Sequence, residues 1–193
     1  MEPVERLMSS IRKRIGLCRR ATDRPWVLLC VGTDRLTGDA LGPLVGTMVS
    51  ESYDNPFHVY GTLADPVHAL NLHEKIEEIE NRHQRYFMIA VDACLGHSKN
   101  IGVINVGIGP IHPGTGVKKS LPPVGHIYVT GVVNAAGPME KERLQNTRLH
   151  LVVRQATVIS SALLQVAREE RTHRVIPLPV VNRHFIQRFC SVT

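Results

Sequence analysis

The sequence predicts an α/β protein in which helices flank a largely parallel sheet. Two short, continuously apolar runs, at 26–31 and 86–91, are typical of strands that are buried on both faces. Helical patterns alternate with the predicted strands along the chain, as in parallel α/β folds. With 193 residues, 43% of them hydrophobic, the chain is long enough to bury its own core. We therefore expect one domain, residues 1–193.

The first half of the chain alternates between the two kinds of element. Apolar residues recurring every three or four positions and continuous apolar runs predict, in order, a helix at 4–15, a strand at 26–31, a helix at 41–49 and a strand at 57–62. Asp65-Pro66 then places a capping residue before a proline, which suits the first turn of a helix. We expect that helix to run to about Glu80.

The second half contains three further predicted strands and one long helix. The strands lie at 86–91, ending at Asp92, and at 101–108 and 127–133, with a Gly/Pro-rich loop at 109–125. After Gly137-Pro138 an amphipathic helix, broken near Asn146, is expected to reach about Glu170. The tail from Thr172 is expected to be irregular or a docked extension.

Charge and composition exclude several classes of protein. The net charge of +6 comes from the ends of the chain, residues 1–25 and 168–193. Solvated helix faces account for these basic ends, so nucleic acid is not an expected partner. The sequence has no run of about 18 apolar residues, no signal-type apolar region and no CxxC pair. We expect a cytoplasmic protein with free thiols and no membrane association.

Cofactor and metal motifs are also missing from the sequence. Gly32, Gly38 and Gly42 are not spaced as in a dinucleotide-binding loop, and the stretch 113–120 lacks the Gly-Lys-Ser/Thr of a P-loop. No two of the ten histidines form HExxH, and His68 and His73 are five apart on a predicted helix, hence on different faces. Neither a cofactor nor a metal is therefore predicted.

Two aspartates are the strongest candidates for chemistry. Asp39 and Asp92 each follow a predicted buried strand, and ligands of parallel sheets bind beyond the carboxyl ends of the strands. If strands 26–31 and 86–91 are neighbours, the two carboxyls converge and can share one proton, so that one acts as base and the other as acid. The alternative is structural: Asp39 caps helix 41–52 and Asp92 caps a turn.

The sequence closely resembles the YyaC-type sporulation proteins, which are predicted spore proteases. The resemblance covers residues 26–167 and lies in GTDRLTGDALGPLVG (32–46), VYGTLADPVHALNL (59–72), VDACLG (91–96), GPIHPGTGVKKSLPPVG (109–125) and TGVVN (130–134). That family is similar to the germination protease, in which two proposed catalytic aspartates correspond to Asp39 and Asp92. His126 departs from the acidic residue expected in close relatives.

A more distant resemblance is to the endopeptidases that mature nickel-iron hydrogenases. It implies a three-layer α/β/α sandwich of the phosphorylase/hydrolase type. The resemblance to the YyaC-type and germination proteases implies a cytoplasmic endopeptidase of the sporulating cell or forespore that acts on a protein or peptide, such as a spore protein. We expect it to act without a metal, because the pattern assigns no histidine to the two carboxylates. Six further residues are expected as substrate contacts or borders of the cleft: Asp34, Arg35, Asn134, Gly114, Thr115 and Gly116. The alternative for Asp34 and Arg35 is that they pair with each other as part of the structure.

Two alternatives to this reading stay open. One is a metal-binding maturation peptidase that uses Asp39, Asp92 and a histidine. The other is a sporulation protein that binds a partner on the same fold without turnover.

Overall fold

A five-stranded sheet lies at the centre of the computed structural model, which describes residues 2–18, 24–113 and 121–174. The strands are β1 (Trp26–Cys30), β2 (Phe57–Tyr60), β3 (Phe87–Gly96), β4 (Ile104–Ile108) and β5 (Ile127–Ala135). They are ordered β2-β1-β3-β5-β4, and every neighbouring pair is parallel except β4 with β5. The mostly parallel sheet predicted from the sequence is confirmed.

Helices cover both faces of the sheet. They are α1 (Pro3–Leu17), α2 (Leu41–Ser50), α3 (Leu72–Arg82), α4 (Glu140–Gln145) and α5 (Leu149–Arg174). Alternate residues of a strand point to opposite faces, so Leu28 packs with α1, α2 and α5, whereas Leu29 packs with α3. The result is the predicted α/β/α sandwich with three layers.

The long C-terminal helix is broken where the sequence predicts a break. Asn146 ends α4, and α5 begins three residues later. The stretch Leu149–Arg171 of α5 is long and apolar enough to cross a membrane by length and composition alone. In the structure, however, Ile159 and Leu163 are buried in the core against the sheet, as in the core helix of a folded domain. The predicted tail, 172–193, overlaps the end of α5 and otherwise lies outside the described residues.

The predicted helix start at Asp65-Pro66 is wrong, because α3 begins only at Leu72. Val67 is fully buried and forms a parallel bridge with Val31, which extends the edge of β1. Asn71 closes the turn that follows: its Oδ1 accepts the His68 N–H at 2.8 Å, and its amide donates to the Pro66 carbonyl at 3.0 Å. A long-range bridge thus outweighs the local capping signal.

Strand β3 is longer than predicted. It continues through Asp92 to Gly96, because β5 pairs with it along that whole length. Its pairing with β1 ends at Cys30 opposite Val91, so Asp92 is the first residue of β3 beyond the end of β1. Strand β4 is shorter than predicted and starts at Ile104, after a single 3₁₀ turn at Ser98–Asn100.

Candidate active site

Asp39 and Asp92 come together at the carboxyl edge of the sheet. β1 and β3 are parallel neighbours, as the convergence of the two carboxyls requires. Asp92 lies within β3, just past the end of β1, and Asp39 lies in a 3₁₀ turn, Gly38–Ala40, that leads directly into α2. Both side chains line the same two cavities. Two residues 53 positions apart in the sequence therefore share one site.

The loop after β1 folds back on itself to hold Asp39 over the sheet. The Thr33 N–H donates to the Asp39 carbonyl at 3.1 Å, and the Gly32 N–H donates to the Val67 carbonyl at 2.8 Å. Gly32 has φ 140°, and a Cβ there would lie 2.0 Å from the Asp39 carbonyl oxygen. Only glycine lets the backbone approach this closely in that conformation, so Gly32 fixes the place of Asp39.

Helix capping does not account for Asp39. The residue at the N-cap of α2 is Ala40, and no side chain caps that helix. Asp92 makes one local contact: its Oδ1 accepts the Ala93 N–H at 2.8 Å within β3. This bond orients the Asp92 carboxyl and leaves its second oxygen available to the cavity.

The cleft has two lobes that meet at the two aspartates. One lobe, of about 470 Å³, lies over the sheet and is lined by β3 and β5 together with Ile111 and His112. The other, of about 240 Å³, is lined by the loop after β1 and by His68, Pro113, Leu121 and Lys141. Both lobes share four residues: Asp39, Asp92, Glu140 and Leu144. A chain lying through both lobes would pass the carboxyl pair near its middle.

The two carboxyls differ in their proton affinity. Burial raises the pKa of Asp39, while the Thr33 amide and the positive charge of His68 act against that rise. Burial first, and then the negative charge of Asp39, raise the pKa of Asp92 well above its usual value, against the lowering effect of the Ala93 N–H. Of the two carboxyls, that of Asp92 therefore has its pKa raised further.

His68 is a residue of the cleft that the sequence does not reveal. The sequence places it on a helix, whereas the structure places it in the turn before α3, half-buried and beside Asp39. Its Nδ1 accepts the Leu70 N–H at 3.3 Å, so in the neutral ring the proton lies on Nε2. The feature that brings His68 to the cleft is the bridge between its neighbour, the buried Val67, and Val31 at the end of β1.

In the described part of the chain, the donors around the carboxyls form no group suited to a metal ion. Within residues 2–18, 24–113 and 121–174, no group of three or more His, Cys, Asp or Glu side chains is arranged to hold a metal ion. Metals of intermediate softness are held by mixed nitrogen and oxygen ligands in a closed set.

The other predicted contacts fall in three places. Asp34 and Arg35 are exposed on the loop after β1. Asn134 is half-buried at the end of β5, where its amide donates to the Arg143 carbonyl at 2.9 Å and to Thr147 Oγ at 3.2 Å, tying α4 to the sheet. The three residues predicted to border the cleft, Gly114, Thr115 and Gly116, lie outside the described residues.

His126, which departs from the pattern of close relatives, lies away from the carboxyls. Its Nδ1 accepts the Met88 N–H at 2.9 Å, and its ring stacks on Phe87 with centroids 5.6 Å apart. These contacts support the start of β3 and β5.

Comparisons with known proteins agree with this architecture. Residues 2–162 match a family described as "Protein of unknown function (DUF1256)". The "Uncharacterized protein YyaC" of Bacillus subtilis (strain 168) is 50% identical over 173 residues, which are 89% of this chain and 81% of that protein. The crystal structure of the NiFe hydrogenase maturation protease HycI from Thermococcus kodakarensis KOD1 aligns with TM-score 0.51, covering 79% of this chain and 99% of that chain at 16% identity. At that identity the likeness concerns the fold.

Proposed function

The chain belongs to the family described as "Protein of unknown function (DUF1256)", and for this member we propose endopeptidase activity in which Asp39 and Asp92 activate a water molecule. The predicted kinship with YyaC-type proteins is confirmed by the 50% identity, and the distant kinship with hydrogenase maturation endopeptidases is confirmed for the fold.

One observation carries the proposal: two carboxyls of unequal proton affinity share a cleft at the carboxyl edge of a parallel sheet. Two negative charges in one enclosed site repel each other, so such a pair keeps one proton over a broad pH range. Since burial and the charge of Asp39 both raise the pKa of Asp92, the resting pair is Asp39 as carboxylate and Asp92 as acid.

This state of the pair suits the hydrolysis of an amide. The Asp39 carboxylate accepts a proton from water as the water oxygen bonds to the peptide carbon, and Asp92 protonates the carbonyl oxygen. The C–N bond then breaks as Asp39 passes its proton to the leaving nitrogen. The hydroxyl of the tetrahedral intermediate returns its proton to Asp92 as the carbonyl reforms. Water is consumed and both carboxyls regain their first state.

The two lobes of the cleft suit an extended polypeptide on either side of the bond to be cut. The larger lobe combines apolar and hydroxyl side chains, including Leu95, Tyr128 and Thr130, whereas the smaller lobe carries His68 and Lys141. We assign the larger lobe to an apolar side chain of the substrate. Asp34 and Arg35, at the exposed loop, contact the substrate outside the lobes in this proposal, as do Gly114, Thr115 and Gly116.

Asn134 acts as a positioning residue in this proposal. Its hydrogen bonds to Arg143 and Thr147 hold α4, which contributes Glu140 and Leu144 to the wall shared by both lobes.

The proposed substrate is a protein of the spore, cleaved in the cytoplasm of the sporulating cell or forespore. What supports it is the resemblance of the motifs around Asp39 and Asp92 to YyaC-type and germination proteases. The test is to incubate the purified chain with proteins extracted from the spore core and to identify new termini by mass spectrometry. Termini that arise with the natural chain and not with the Asp92→Asn variant are the expected result.

The roles of the two aspartates are tested with Asp39→Asn, Asp92→Asn and the double variant. Asparagine keeps the size of the side chain and its acceptor oxygen but cannot carry the proton, so each single change is expected to lower kcat by about 10²–10⁴-fold. Because the pair acts as a unit, the double variant is expected to be hardly worse than either single one. Asp54→Asn is the matched control, since Asp54 is exposed and lines neither lobe.

Two outcomes would contradict the proposal in different ways. Folded single variants that cleave at the natural rate would remove both aspartates from the reaction. A natural chain that yields no new termini but retains one spore protein on a column would favour a binding protein on the same fold.

A further inference from the structure

A second cavity lies beside β4, the edge strand of the sheet. It measures about 640 Å³ and runs between the first turns of α1, the start of β4 and the first turns of α5. We name it the α1–β4–α5 groove. Its floor is formed by apolar side chains: Leu7, Ile104, Leu151 and Val158. It shares no lining residue with either lobe of the cleft.

The rim of this groove is basic and its charges are unpaired. Arg6, Arg148 and Arg154 are exposed and line it, and within the described part of the chain none of them forms an ion pair. His150 lies beside them. At the other end of the same helices Arg12 pairs with Glu169. Three unpaired arginines are thus gathered around one apolar groove.

Helix orientation adds to that positive charge. The Arg12–Glu169 pair joins the later parts of α1 and α5, while Pro3 and His150 both line the groove, so the two helices run in the same direction. Both N-termini, which carry partial positive charge from the helix dipoles, therefore flank the groove.

Gln155 indicates what a ligand of the groove must supply besides negative charge. It is 3% exposed and lines the groove. Its Nε2 donates towards the Val103 and Val132 carbonyls at 3.3 and 3.4 Å, and its Oε1 is the buried side-chain oxygen without a partner among the described residues. Exchanging the two amide atoms would set an oxygen against two carbonyls, so this orientation is fixed. The site therefore needs a hydrogen-bond donor as well as negative charge.

The edge of the sheet at the groove can accept another strand. The Val132 N–H donates to the Val103 carbonyl and the Gly109 N–H donates to the His126 carbonyl, so alternate residues from Val103 onward bond to β5. The N–H and C=O groups of Ile104, Val106 and Ile108 consequently point to the open side of β4. Val103 and Ile108 are also 43% and 53% exposed.

We propose that the α1–β4–α5 groove binds an acidic segment of another protein, extended along β4, with its carboxylates on Arg6, Arg148 and Arg154. A polypeptide backbone supplies the N–H donors that Gln155 and the β4 carbonyls need, its acidic side chains match the arginines, and its apolar side chains cover the floor. A phosphodiester backbone supplies the charge without the donors or the apolar groups, which is why a protein partner is favoured over nucleic acid.

The test measures binding of a fluorescein-labelled peptide, (Glu-Val)₄, to the full chain by fluorescence anisotropy. The double variant Arg148→Glu/Arg154→Glu is expected to bind at least tenfold more weakly than the natural chain. Lys13→Glu/Arg85→Glu makes the same change of charge at exposed residues outside the groove and is expected to bind within twofold of the natural chain. The side-chain amide signals of Gln155 are expected to shift in NMR spectra as the peptide is added.

Several results would overturn the proposal. Equal binding by the natural chain and the Arg148/Arg154 variant would place the peptide elsewhere, and so would shifts confined to the cleft. Equal binding of (Lys-Val)₄ would remove charge as the basis of recognition. No peptide binding, together with binding of a single-stranded oligonucleotide or of phosphatidylglycerol vesicles, would reassign the groove to that ligand. Asp39→Asn is expected to bind the peptide normally, so this result is independent of the peptidase activity.

Discussion

Replacing Asp92 by asparagine should make the protein more stable at neutral pH while abolishing its activity. The side chain lines the cleft, and burial and the charge of Asp39 raise the pKa of its carboxyl. Asparagine cannot ionise, and its Oδ1 can still accept the Ala93 N–H that the aspartate accepts at 2.8 Å. The substitution therefore removes the titration of one group and leaves the local hydrogen bond.

The direction of the pH effect follows from proton binding in the two states. In the unfolded chain an aspartate has a pKa of about 3.9, whereas in the folded chain the pKa of Asp92 is well above its usual value. Between those two values the folded state binds a proton that the unfolded state has released. The free energy of unfolding of the natural protein therefore falls as pH rises through that interval, by at most about 1.4 kcal/mol per pH unit.

The Asp92→Asn variant lacks this fall, so its advantage over the natural protein should grow with pH above about 4 and then level off. The variant Asp39→Asn should shorten the interval without closing it, because burial is a larger cause of the raised pKa than the charge of Asp39. The two variants thus separate the two causes.

The measurement is urea unfolding at half-unit steps from pH 4.5 to 8, followed by fluorescence. Trp26 is the single tryptophan of the chain and is buried in β1, so it reports on the loss of the core. Asp54→Asn serves as the control, because Asp54 is an exposed aspartate that pairs with Arg168 and Arg171. Its difference from the natural protein is expected to show no rise of this kind between pH 5 and 8.

Parallel curves for Asp92→Asn and the natural protein would refute the reasoning. They would mean that Asp92 is ionised in the folded state over the whole range, and then no proton is held for transfer to a substrate. A variant that is less stable at every pH by a constant amount would lead to the same conclusion.

Three further predictions concern the packing beside the site, the charge of His68 and the need for a metal. Gly42→Ala should lower the free energy of unfolding by about 2–4 kcal/mol in chemical denaturation, because the added Cβ would lie 2.1 Å from the Val31 carbonyl oxygen. Gly16→Ala is the control: there is open space around Gly16, so this change should not destabilise the protein. Equal stabilities of the two variants would contradict the packing around Gly42. His68→Gln should move the acidic limb of the pH profile of kcat/KM to higher pH, because the charge of His68 lowers the pKa of Asp39. The control His73→Gln, at an exposed residue, should leave that limb in place. An unmoved limb in His68→Gln would exclude an electrostatic role for His68. Treatment with EDTA should leave the cleavage rate unchanged; a lasting loss reversed by nickel or zinc would favour the metal-dependent alternative.

Strand positions could be predicted from the sequence because the signal is local. The runs at 26–31 and 86–91 are apolar on both faces, and every residue of β1 is buried as that pattern predicts. The approach of Asp39 to Asp92 follows from the same runs once parallel neighbours are assumed. That assumption comes from the fold class, and the pairing of β1 with β3 confirms it.

Features that depend on distant contacts could not be predicted in this way. The bridge of Val67 to Val31 delays α3 and brings His68 to the cleft, although Asp65-Pro66 is a good local start for a helix. The continuation of β3 through Asp92 depends on β5, whose residues come about 40 positions later. The basic groove requires the start of α1 to lie beside the start of α5, at opposite ends of the sequence.

The extension of β3 beyond β1 also limits how homologous chains can differ in length. Each residue adds about 3.3 Å along a strand and turns the next side chain to the other face. One residue inserted between Phe87 and Asp92 would therefore carry the carboxyl out of reach of Asp39 and turn it towards the helices on the far side. Insertions in the connections at 51–56 and 97–103 would not shift either aspartate in this way. In a relative that keeps both aspartates but has a different spacing inside either strand, the two carboxyls would no longer lie together.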